Sequence, residues 1–235
     1  KGYVNISNFK AGLLSFIFYV GLIGLLLILQ PDFGMLMVII FMSLAVYYVA
    51  GAKLYHLLYI VCIGCIGFIT IVAQKPYIIN RFKVFLDPSA DKLNLGYQLY
   101  QASLAIGSGG LLGKGFGKSA QKFSYLPEVS SDSIFAVIAE EMGFIVIILL
   151  IGLYILIMYR GIIIAQRAPD PFGRFLATGI ISWITFQTFL NIAVMTGLAP
   201  ITGITLPFIS AGGTSLVASL ASIGILVNIS KHSVD

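Results

Sequence analysis

Residues 134–159, IFAVIAEEMGFIVIILLIGLYILIMY, are apolar on every face of a helix except at Glu140 and Glu141. A helix needs about 20 such residues to cross a bilayer. The whole chain has this character, since 59% of its 235 residues are hydrophobic and 10% are charged, whereas soluble domains average about 25% charged residues. Strands of a membrane barrel would alternate apolar and polar residues, and these runs do not. The sequence therefore predicts an all-α, polytopic helical membrane protein.

Six apolar runs are long enough to cross a membrane. They cover residues 11–30, 35–51, 54–73, 134–159, 175–196 and 213–229. Pro31, Asp32 and Gly34 predict a turn between the first two runs, because proline and glycine end helices and aspartate suits a cap. Cys62 and Cys65 have CxxC spacing, but they lie inside an apolar run. We interpret them as buried packing residues and not as a redox or metal site.

The distribution of lysine and arginine predicts the orientation, because short cytoplasmic loops are enriched in both residues. The short loops 30–34 and 197–212 carry neither of them. The opposite helix ends carry Lys1, Lys10, Lys53, Arg160, Arg167, Arg174 and Lys231. We therefore expect both termini of the chain in the cytoplasm, and the long segment 74–133 on the outer side of the membrane.

The stretch GLLGKGFGKS, residues 110–119, is similar to a nucleotide-binding loop but does not match one. A Walker A loop has a glycine, four further residues and then Gly-Lys-Ser/Thr. Gly117 begins the last part, and the required first glycine falls on Leu112. An outer loop also has no ATP to bind. The glycines and the neighbouring Lys114, Lys118 and Lys122 instead predict a site for an anionic headgroup, with nonspecific attraction to anionic lipid as the alternative.

The outer segment 74–133 has too many aromatic and aliphatic residues to be a flexible linker. Residues 96–106 have helical spacing and predict a short amphipathic helix at the membrane interface, with Tyr97, either Tyr100 or Gln101, and Leu104 on one face.

Asp132 comes just before the apolar run 134–159. An aspartate at this position could cap the helix, or it could act as a general base at the membrane edge. Glu128 is a second carboxylate close to it in the sequence.

Polar residues inside the apolar runs form a further group of candidates. Glu140 and Glu141 could support function inside the membrane or form a hydrogen-bonded structural pair, since carboxylates are costly in lipid. Gln187 and Asn191, one helical turn apart, predict hydrogen bonds between helices. The uncharged segment 198–215 resembles a re-entrant loop, whose backbone must be covered by protein or line a wet cavity.

Six strings, in order along almost the whole chain, resemble the SEDS family (shape, elongation, division and sporulation), to which FtsW, RodA and SpoVE belong. They are QPDFG (30–34), AGAK (50–53), FLDPSAD (85–91), GYQLYQASLAIGSGGLLGKGFG (96–117), QKFSYLPEVSSDSIFAVIAEEMGF (121–144) and TGLAPITGITLPFISAGGTSL (196–216). RodA proteins tend to carry a longer insertion before residue 121, so the chain is more similar to FtsW, and to SpoVE, than to RodA.

The resemblance implies a peptidoglycan glycosyltransferase of the bacterial cytoplasmic membrane, active in cell division or cell-shape maintenance. It would polymerise lipid II on the outer face, with glycan linked to polyprenyl pyrophosphate as the electrophile. A class B penicillin-binding protein is the implied partner, membrane lipid surrounds the chain, and no nucleic acid is implied. No cofactor is certain. A divalent cation, Mg²⁺ or Mn²⁺, could stabilise the pyrophosphate, but no ligand cluster identifies a metal site.

The family's essential aspartate falls on Asp132, which is therefore the expected catalytic residue, with Glu140 and Glu141 as candidate intramembrane support. The expected substrate-binding residues are Arg81, Gln98, Lys114, Lys118, Lys122, Glu128, Ser210, Gly212, Gly213 and Thr214.

The chain also departs from the family pattern. The family has about ten transmembrane helices, whereas six runs here are long enough to cross a membrane. We therefore expect a single but partial transmembrane domain over residues 1–235 that lacks the first four helices and is inactive alone. Ala211 stands where tyrosine is frequent, and Ser130 and Ser131 replace a frequent His-Thr pair. Two other functions stay open: a lipid II flippase, for which no inverted repeat is visible, and a scaffold that activates the penicillin-binding protein.

Overall fold

The computed structural model describes residues 12–91, 94–119, 121–122 and 130–232. Its helices, in order, are α1 (Leu14–Leu29), α2 (Phe33–Val49), α3 (Leu54–Gln74), α4 (Pro76–Leu86), α5 (Leu95–Gly109), α6 (Ile134–Gln166), α7 (Pro171–Met195) and α8 (Gly213–Lys231). A 3₁₀ turn at Pro88–Asp91 joins α4 to α5. The described residues contain no strand, which confirms the predicted all-α class.

Each of the six predicted apolar runs forms a helix. Three of these helices, α6, α7 and α8, are long and apolar enough to cross a membrane, with mean hydropathy of 2.8, 1.4 and 1.6 over their most apolar windows. The apolar helices α1 and α2 are shorter, and so is the apolar part of α3 at Leu54–Thr70. The class of polytopic helical membrane protein is confirmed, while crossing by all six helices stays a prediction.

The chain divides into two compact units, of which the first comprises Lys1–Lys75, Tyr159–Phe186 and Ser222–Asp235. The turn between α1 and α2 forms as predicted, because the carboxylate of Asp32 accepts a hydrogen bond of 2.9 Å from the backbone N–H of Met35 and so caps α2. Phe41 stacks on Phe186 with 4.3 Å between ring centroids. The polar side chain of His56 is buried and lies 3.4 Å from the Tyr47 hydroxyl.

Cys62 and Cys65 are free thiols on the exposed surface of α3. Their interpretation as residues packed inside the protein is wrong. The α3 sequence is apolar on all sides, so the pattern could not tell which side faces the protein and which faces outward. Small residues are tolerated on either side of such a helix.

The second unit comprises Pro76–Met158 and Gln187–Ala221 and holds the outer segment that the sequence predicted to be structured. α5 confirms the predicted helix. Gln98, Ala102 and Ala105 are buried, whereas Tyr100 and Leu104 are exposed. Close packing explains the choice of small residues: a Cβ on Gly109 would overlap the carbonyl oxygen of Ala139 in α6.

α4 is a helix that the sequence reasoning did not predict. It begins at Pro76, and proline is tolerated at a first helical position because its missing N–H has no partner there anyway. Ile78 and Val84 bury one side of the helix. Asn80 and Lys83 are exposed, and so are Phe82 and Leu86, so the outer surface of the helix mixes polar and apolar residues.

Candidate active site

Asp132 lies in the turn that leads into α6, and its side chain is only 5% exposed. The amide nitrogen of Gln98 on α5 lies 3.4 Å from Oδ2, and the hydroxyls of Ser131 and Ser133 lie 3.4 and 3.5 Å from Oδ1. α6 begins at Ile134, so Ser133 and not Asp132 directly precedes the helix. The capping role of Asp132 stays a prediction. The donors described here are neutral, which is a suitable setting for a group that accepts a proton.

The backbone of this turn is held by three short hydrogen bonds. The side-chain amide of Asn191, on α7, donates to the carbonyl oxygen of Asp132 at 2.8 Å. The hydroxyl of Ser210 donates to the carbonyl oxygen of Ser131. The backbone N–H of Ala211 donates to the carbonyl oxygen of Ser130 at 2.7 Å. The position of the Asp132 Cα is thus fixed from two sides.

The loop between α7 and α8, residues 196–212, has no regular secondary structure, and side chains cover its backbone carbonyls. Gln187 donates to Thr205 at 2.9 Å, Asn191 donates to Ile204 at 2.7 Å, and Tyr154 donates to Pro207 at 2.5 Å. This arrangement is what a re-entrant segment requires, since unpaired backbone groups are too costly at membrane depth. Gln187 and Asn191 are structural connectors, as predicted: the bonds described here join α7 to the loop, and Asn191 also bonds the turn before α6.

Arg81 connects α4 to the same loop. Its guanidinium donates to the carbonyl oxygen of Ile201 at 3.0 Å and lies over the ring of Tyr77 at 5.6 Å. Both contacts restrict its side chain, which is partly buried. A guanidinium has five N–H donors in a fixed plane, so one bond to a carbonyl leaves donors that can bind an anion.

A second group of polar residues surrounds Glu140, whose side chain is completely buried. One carboxylate oxygen accepts from Lys114 at 2.7 Å and from the Ser108 hydroxyl at 3.3 Å, and the other accepts from the Ser119 hydroxyl at 2.5 Å. We name Glu140, Lys114, Ser119 and Ser108 the Glu140 cluster. Its short, charge-assisted bonds are the strong kind, which favours a structural role for Glu140.

α6 is interrupted at Gly143, which has φ of 80° and ψ of 179°. The glycine-rich loop after α5 pairs with the backbone groups that the interruption leaves open. The N–H groups of Lys114 and Gly115 donate to the carbonyls of Glu140 and Glu141, each at 2.9 Å. In the other direction, Phe144 and Ile145 donate to the carbonyls of Gly110 and Leu111 at 2.9 and 3.3 Å. The loop therefore joins the two halves of a broken helix.

The sequence reasoning missed this interruption and also missed Ser108 and Ser119 as partners of Glu140. The signal was present in the density of glycines over residues 107–117 and in Gly143 directly after the Glu140-Glu141-Met142 stretch. A run that is apolar on every side gives no periodicity to show a break. Gly113, one of the glycines that make residues 110–119 similar to a Walker A loop, has a structural explanation. It packs so closely on α6 that a Cβ there would overlap the carbonyl of Glu141.

The remaining expected site residues are spread over the second unit. Lys122 lies 3.9 Å from the carboxylate of the buried Glu141, and Lys118 is exposed. Gly213 and Thr214 are exposed at the start of α8, with Gly212 just before them. Glu128 falls outside the described residues. Only Gln98 and Ser210 of the expected binding residues contact the Asp132 turn through the hydrogen bonds described above.

Within the described ranges, no three His, Cys, Asp or Glu side chains come close enough to hold a metal ion.

Comparison with known proteins places these features in a family. A family model described as a cell cycle protein and named for FtsW, RodA and SpoVE matches residues 3–235. Stage V sporulation protein E of Bacillus subtilis (strain 168) is 44% identical over 229 residues, which cover 97% of this chain and 63% of that protein. A probable peptidoglycan glycosyltransferase FtsW of Geobacter sp. (strain M18) is 38% identical and covers 97% of this chain and 62% of its own length.

Solved structures of proteins with related names have a similar fold. One is a chain from a peptidoglycan synthase complex that coordinates polymerization and crosslinking. It matches with a TM-score of 0.76 and 30% sequence identity, and the match covers 99% of this chain and 64% of that chain. The crystal structure of the rod shape determining protein RodA of Thermus thermophilus matches with a TM-score of 0.59 and 30% identity, over 94% and 56%. The chain thus spans less than two thirds of each of these proteins. With a family match over nearly its whole length, the chain belongs to the FtsW/RodA/SpoVE family of membrane proteins, as the resemblance to SEDS proteins predicted.

Proposed function

We propose that this chain carries the catalytic aspartate of a peptidoglycan glycosyltransferase that polymerises lipid II. The observation that carries the proposal is the geometry of Asp132: a buried carboxylate among neutral donors, on a backbone fixed by Asn191 and Ser210. Relatives named as probable peptidoglycan glycosyltransferases support the reaction class. The resemblance to SEDS proteins supplies the substrate.

In the proposed reaction, the 4-hydroxyl of the GlcNAc of one lipid II molecule attacks C1 of the MurNAc at the end of the growing glycan. Asp132 accepts the proton of that hydroxyl. A C–O bond forms at C1 with inversion, and the bond from C1 to the polyprenyl pyrophosphate breaks. The pyrophosphate leaves with the electron pair, so the products are a glycan longer by one unit and free polyprenyl pyrophosphate.

The leaving pyrophosphate gains negative charge as the bond breaks, and fixed cations that face it stabilise the transition state. Arg81 is the principal candidate, because it retains N–H donors beside its bond to Ile201. Lys122 and Lys118 are further candidates. Lys114 is less suitable, since its ammonium is paired with the buried Glu140 at 2.7 Å.

The proposal includes a location and a partner. The site would open to the outer side of the cytoplasmic membrane, where lipid II is polymerised, and both ends of the chain would lie in the cytoplasm, as the positive-inside distribution of lysine and arginine indicates. A class B penicillin-binding protein would crosslink the glycan. The similarity to a chain of a peptidoglycan synthase complex supports a partner of this kind.

The test is lipid II polymerisation by the full-length protein carrying Asp132→Asn, with its penicillin-binding partner present. Loss of a general base typically lowers the rate by about 10²–10⁴-fold, and the thermal unfolding midpoint should be unchanged because the two side chains have nearly the same shape. Asp87→Asn is the matched control, since Asp87 is exposed at the end of α4. A folded Asp132→Asn variant that polymerises at the wild-type rate would disprove the assignment.

A further inference from the structure

The two halves of α6 lie in opposite surroundings. In the half before Gly143, the buried residues are Phe135, Ala136, Val137, Ala139, Glu140 and Glu141. In the half after it, Phe144, Ile145 and Ile148 are each 55% exposed, and Leu149 is 63% exposed. An exposed apolar surface of this kind marks a contact with membrane or protein, and the length and hydropathy of α6 favour membrane. The lipid-facing part of α6 therefore begins at the interruption, about two turns later than the apolar sequence begins.

The second half of α6 is long enough to cross a bilayer without the first. It contains roughly 20 residues, which at 1.5 Å per residue extend for about 30 Å, the thickness of the hydrocarbon core. The first half is consequently free to lie at or above the membrane surface. Its buried carboxylates, Glu140 and Glu141, then need not be placed deep in lipid.

The glycine-rich loop is fixed at the level where this lipid-facing surface begins. Its carbonyls at Gly110 and Leu111 accept the hydrogen bonds from Phe144 and Ile145. Its apolar side chains point away from the protein: Leu111 is 67% exposed, Leu112 is 81% exposed and Phe116 is 84% exposed.

Large apolar side chains on a loop are costly to expose to water, and insertion into lipid removes that cost. Lys118 is exposed two residues after Phe116, which suits the anionic phosphates of a bilayer surface. We propose that Leu111, Leu112 and Phe116 form a membrane wedge that inserts at the boundary between headgroups and acyl chains, with Lys118 at the phosphates.

The occupant is lipid, and not a second protein, because the wedge continues the surface of α6 at Phe144 and Ile145.

The experiment measures the depth of a tryptophan introduced at position 116. Trp183 is the single tryptophan of these 235 residues. Phe116→Trp is therefore made in the full-length protein, with Trp183 and any tryptophan outside these residues replaced by phenylalanine. Leu112→Trp in the same background serves as a second variant if the first does not fold. The protein is reconstituted in nanodiscs of phosphatidylcholine and phosphatidylglycerol. The phosphatidylcholine carries bromine either near the headgroup or near the end of the acyl chain.

We expect blue-shifted emission that is roughly halved by the shallow bromines and less affected by the deep ones. Ile148→Trp, on the lipid-facing half of α6, should be quenched more strongly by deep bromines, and Asp87→Trp should be quenched by neither. Emission typical of water at positions 112 and 116, without quenching, would overturn the proposal. Blue-shifted emission that neither lipid quenches would also overturn it, because a protein surface would then cover the wedge.

Discussion

Asp132 and Glu140 are two buried carboxylates within one short stretch of the chain, but they are held in different ways. The carboxylate of Glu140 itself is fixed, by a cation at 2.7 Å and a hydroxyl at 2.5 Å. At Asp132 the backbone is fixed: Asn191 donates to the carbonyl of Asp132 at 2.8 Å, and Ser210 donates to the carbonyl of Ser131. The described contacts of the Asp132 carboxylate, with Gln98, Ser131 and Ser133, are 3.4–3.5 Å long.

The difference indicates that the two residues have different roles. A carboxylate paired with a cation by short bonds stabilises structure, and a proton that it accepted would break those bonds. A carboxylate with a fixed position and long contacts to neutral donors can accept a proton at lower cost. We therefore assign stability to the Glu140 cluster and chemistry to Asp132, and the following substitutions test that division.

Gly143→Ala should have the largest effect on stability. Its φ of 80° and ψ of 179° belong to a region that is essentially restricted to glycine, and a Cβ would also overlap the backbone N–H of Gly113. The strain alone is worth about 1–3 kcal/mol, and the overlap adds about as much. A strongly lowered thermal unfolding midpoint is expected.

Gly152→Ala is the matched control, because a Cβ at this position of α6 has no neighbour within 4 Å. Alanine favours a helix over glycine by about 1 kcal/mol, so this variant should be as stable as the wild type or slightly more stable. Equal midpoints for Gly143→Ala and Gly152→Ala would show that the loop does not depend on the interruption of α6.

Lys114 and Glu140 provide the second test. Removal of one partner of a buried ion pair costs about 3–5 kcal/mol, but the Lys114 side chain is 38% exposed, so a smaller cost of about 1–2 kcal/mol is expected for Glu140→Gln. Lys114→Met should cost more, since it leaves a fully buried carboxylate without its cation.

The double variant Lys114→Met with Glu140→Gln decides whether the pair is coupled. Residues in direct contact have interaction energies of about 0.5–3 kcal/mol, so the double variant should be less destabilised than the sum of the single variants. Strict additivity, measured by unfolding in the same lipid or detergent, would contradict the Glu140 cluster as a structural unit.

Asn191 and Gln187, one turn apart on α7, allow the smallest and most specific test. Asn191→Leu leaves the carbonyls of Asp132 and Ile204 without this donor, whereas Gln187→Leu removes the donor to Thr205. Each lost bond to a buried carbonyl should lower stability by about 1–3 kcal/mol.

Lipid II polymerisation separates the two variants. Asn191→Leu should also reduce the rate per folded molecule, because it frees the backbone of the catalytic turn, while Gln187→Leu should leave this rate near the wild-type value. An equal loss of rate in both variants would contradict a specific role of Asn191 in positioning Asp132.

The sequence predicted the helices well and their packing poorly, for a physical reason. Long apolar runs and the Asp32 turn define where helices lie, and all six runs are helical. A helix that is apolar on every side, such as α3 or α6, carries no periodicity, so neither the outward position of Cys62 nor the interruption at Gly143 could be read from the pattern. α4 was missed because its 11 residues are too few for a membrane-crossing run, the pattern that identified most of the other helices.

The candidate site shows the same limit. The resemblance identified Asp132, and polar residues in apolar surroundings pointed to Gln187, Asn191 and Glu140. The bonds that distinguish them connect segments far apart in the sequence, such as Ser210 with Ser131. Pairings of this kind depend on the fold and have no local signal.

The most direct test measures two quantities on two variants, Asp132→Asn and Glu140→Gln, in the full-length protein: the lipid II polymerisation rate per folded molecule and the thermal unfolding midpoint. We predict that Asp132→Asn lowers the rate by about 10²–10⁴-fold and leaves the midpoint unchanged. For Glu140→Gln we predict a lowered midpoint and a much smaller loss of rate. A stable Asp132→Asn variant with full activity, or a stable Glu140→Gln variant without activity, would contradict the division of chemistry and stability between the two carboxylates.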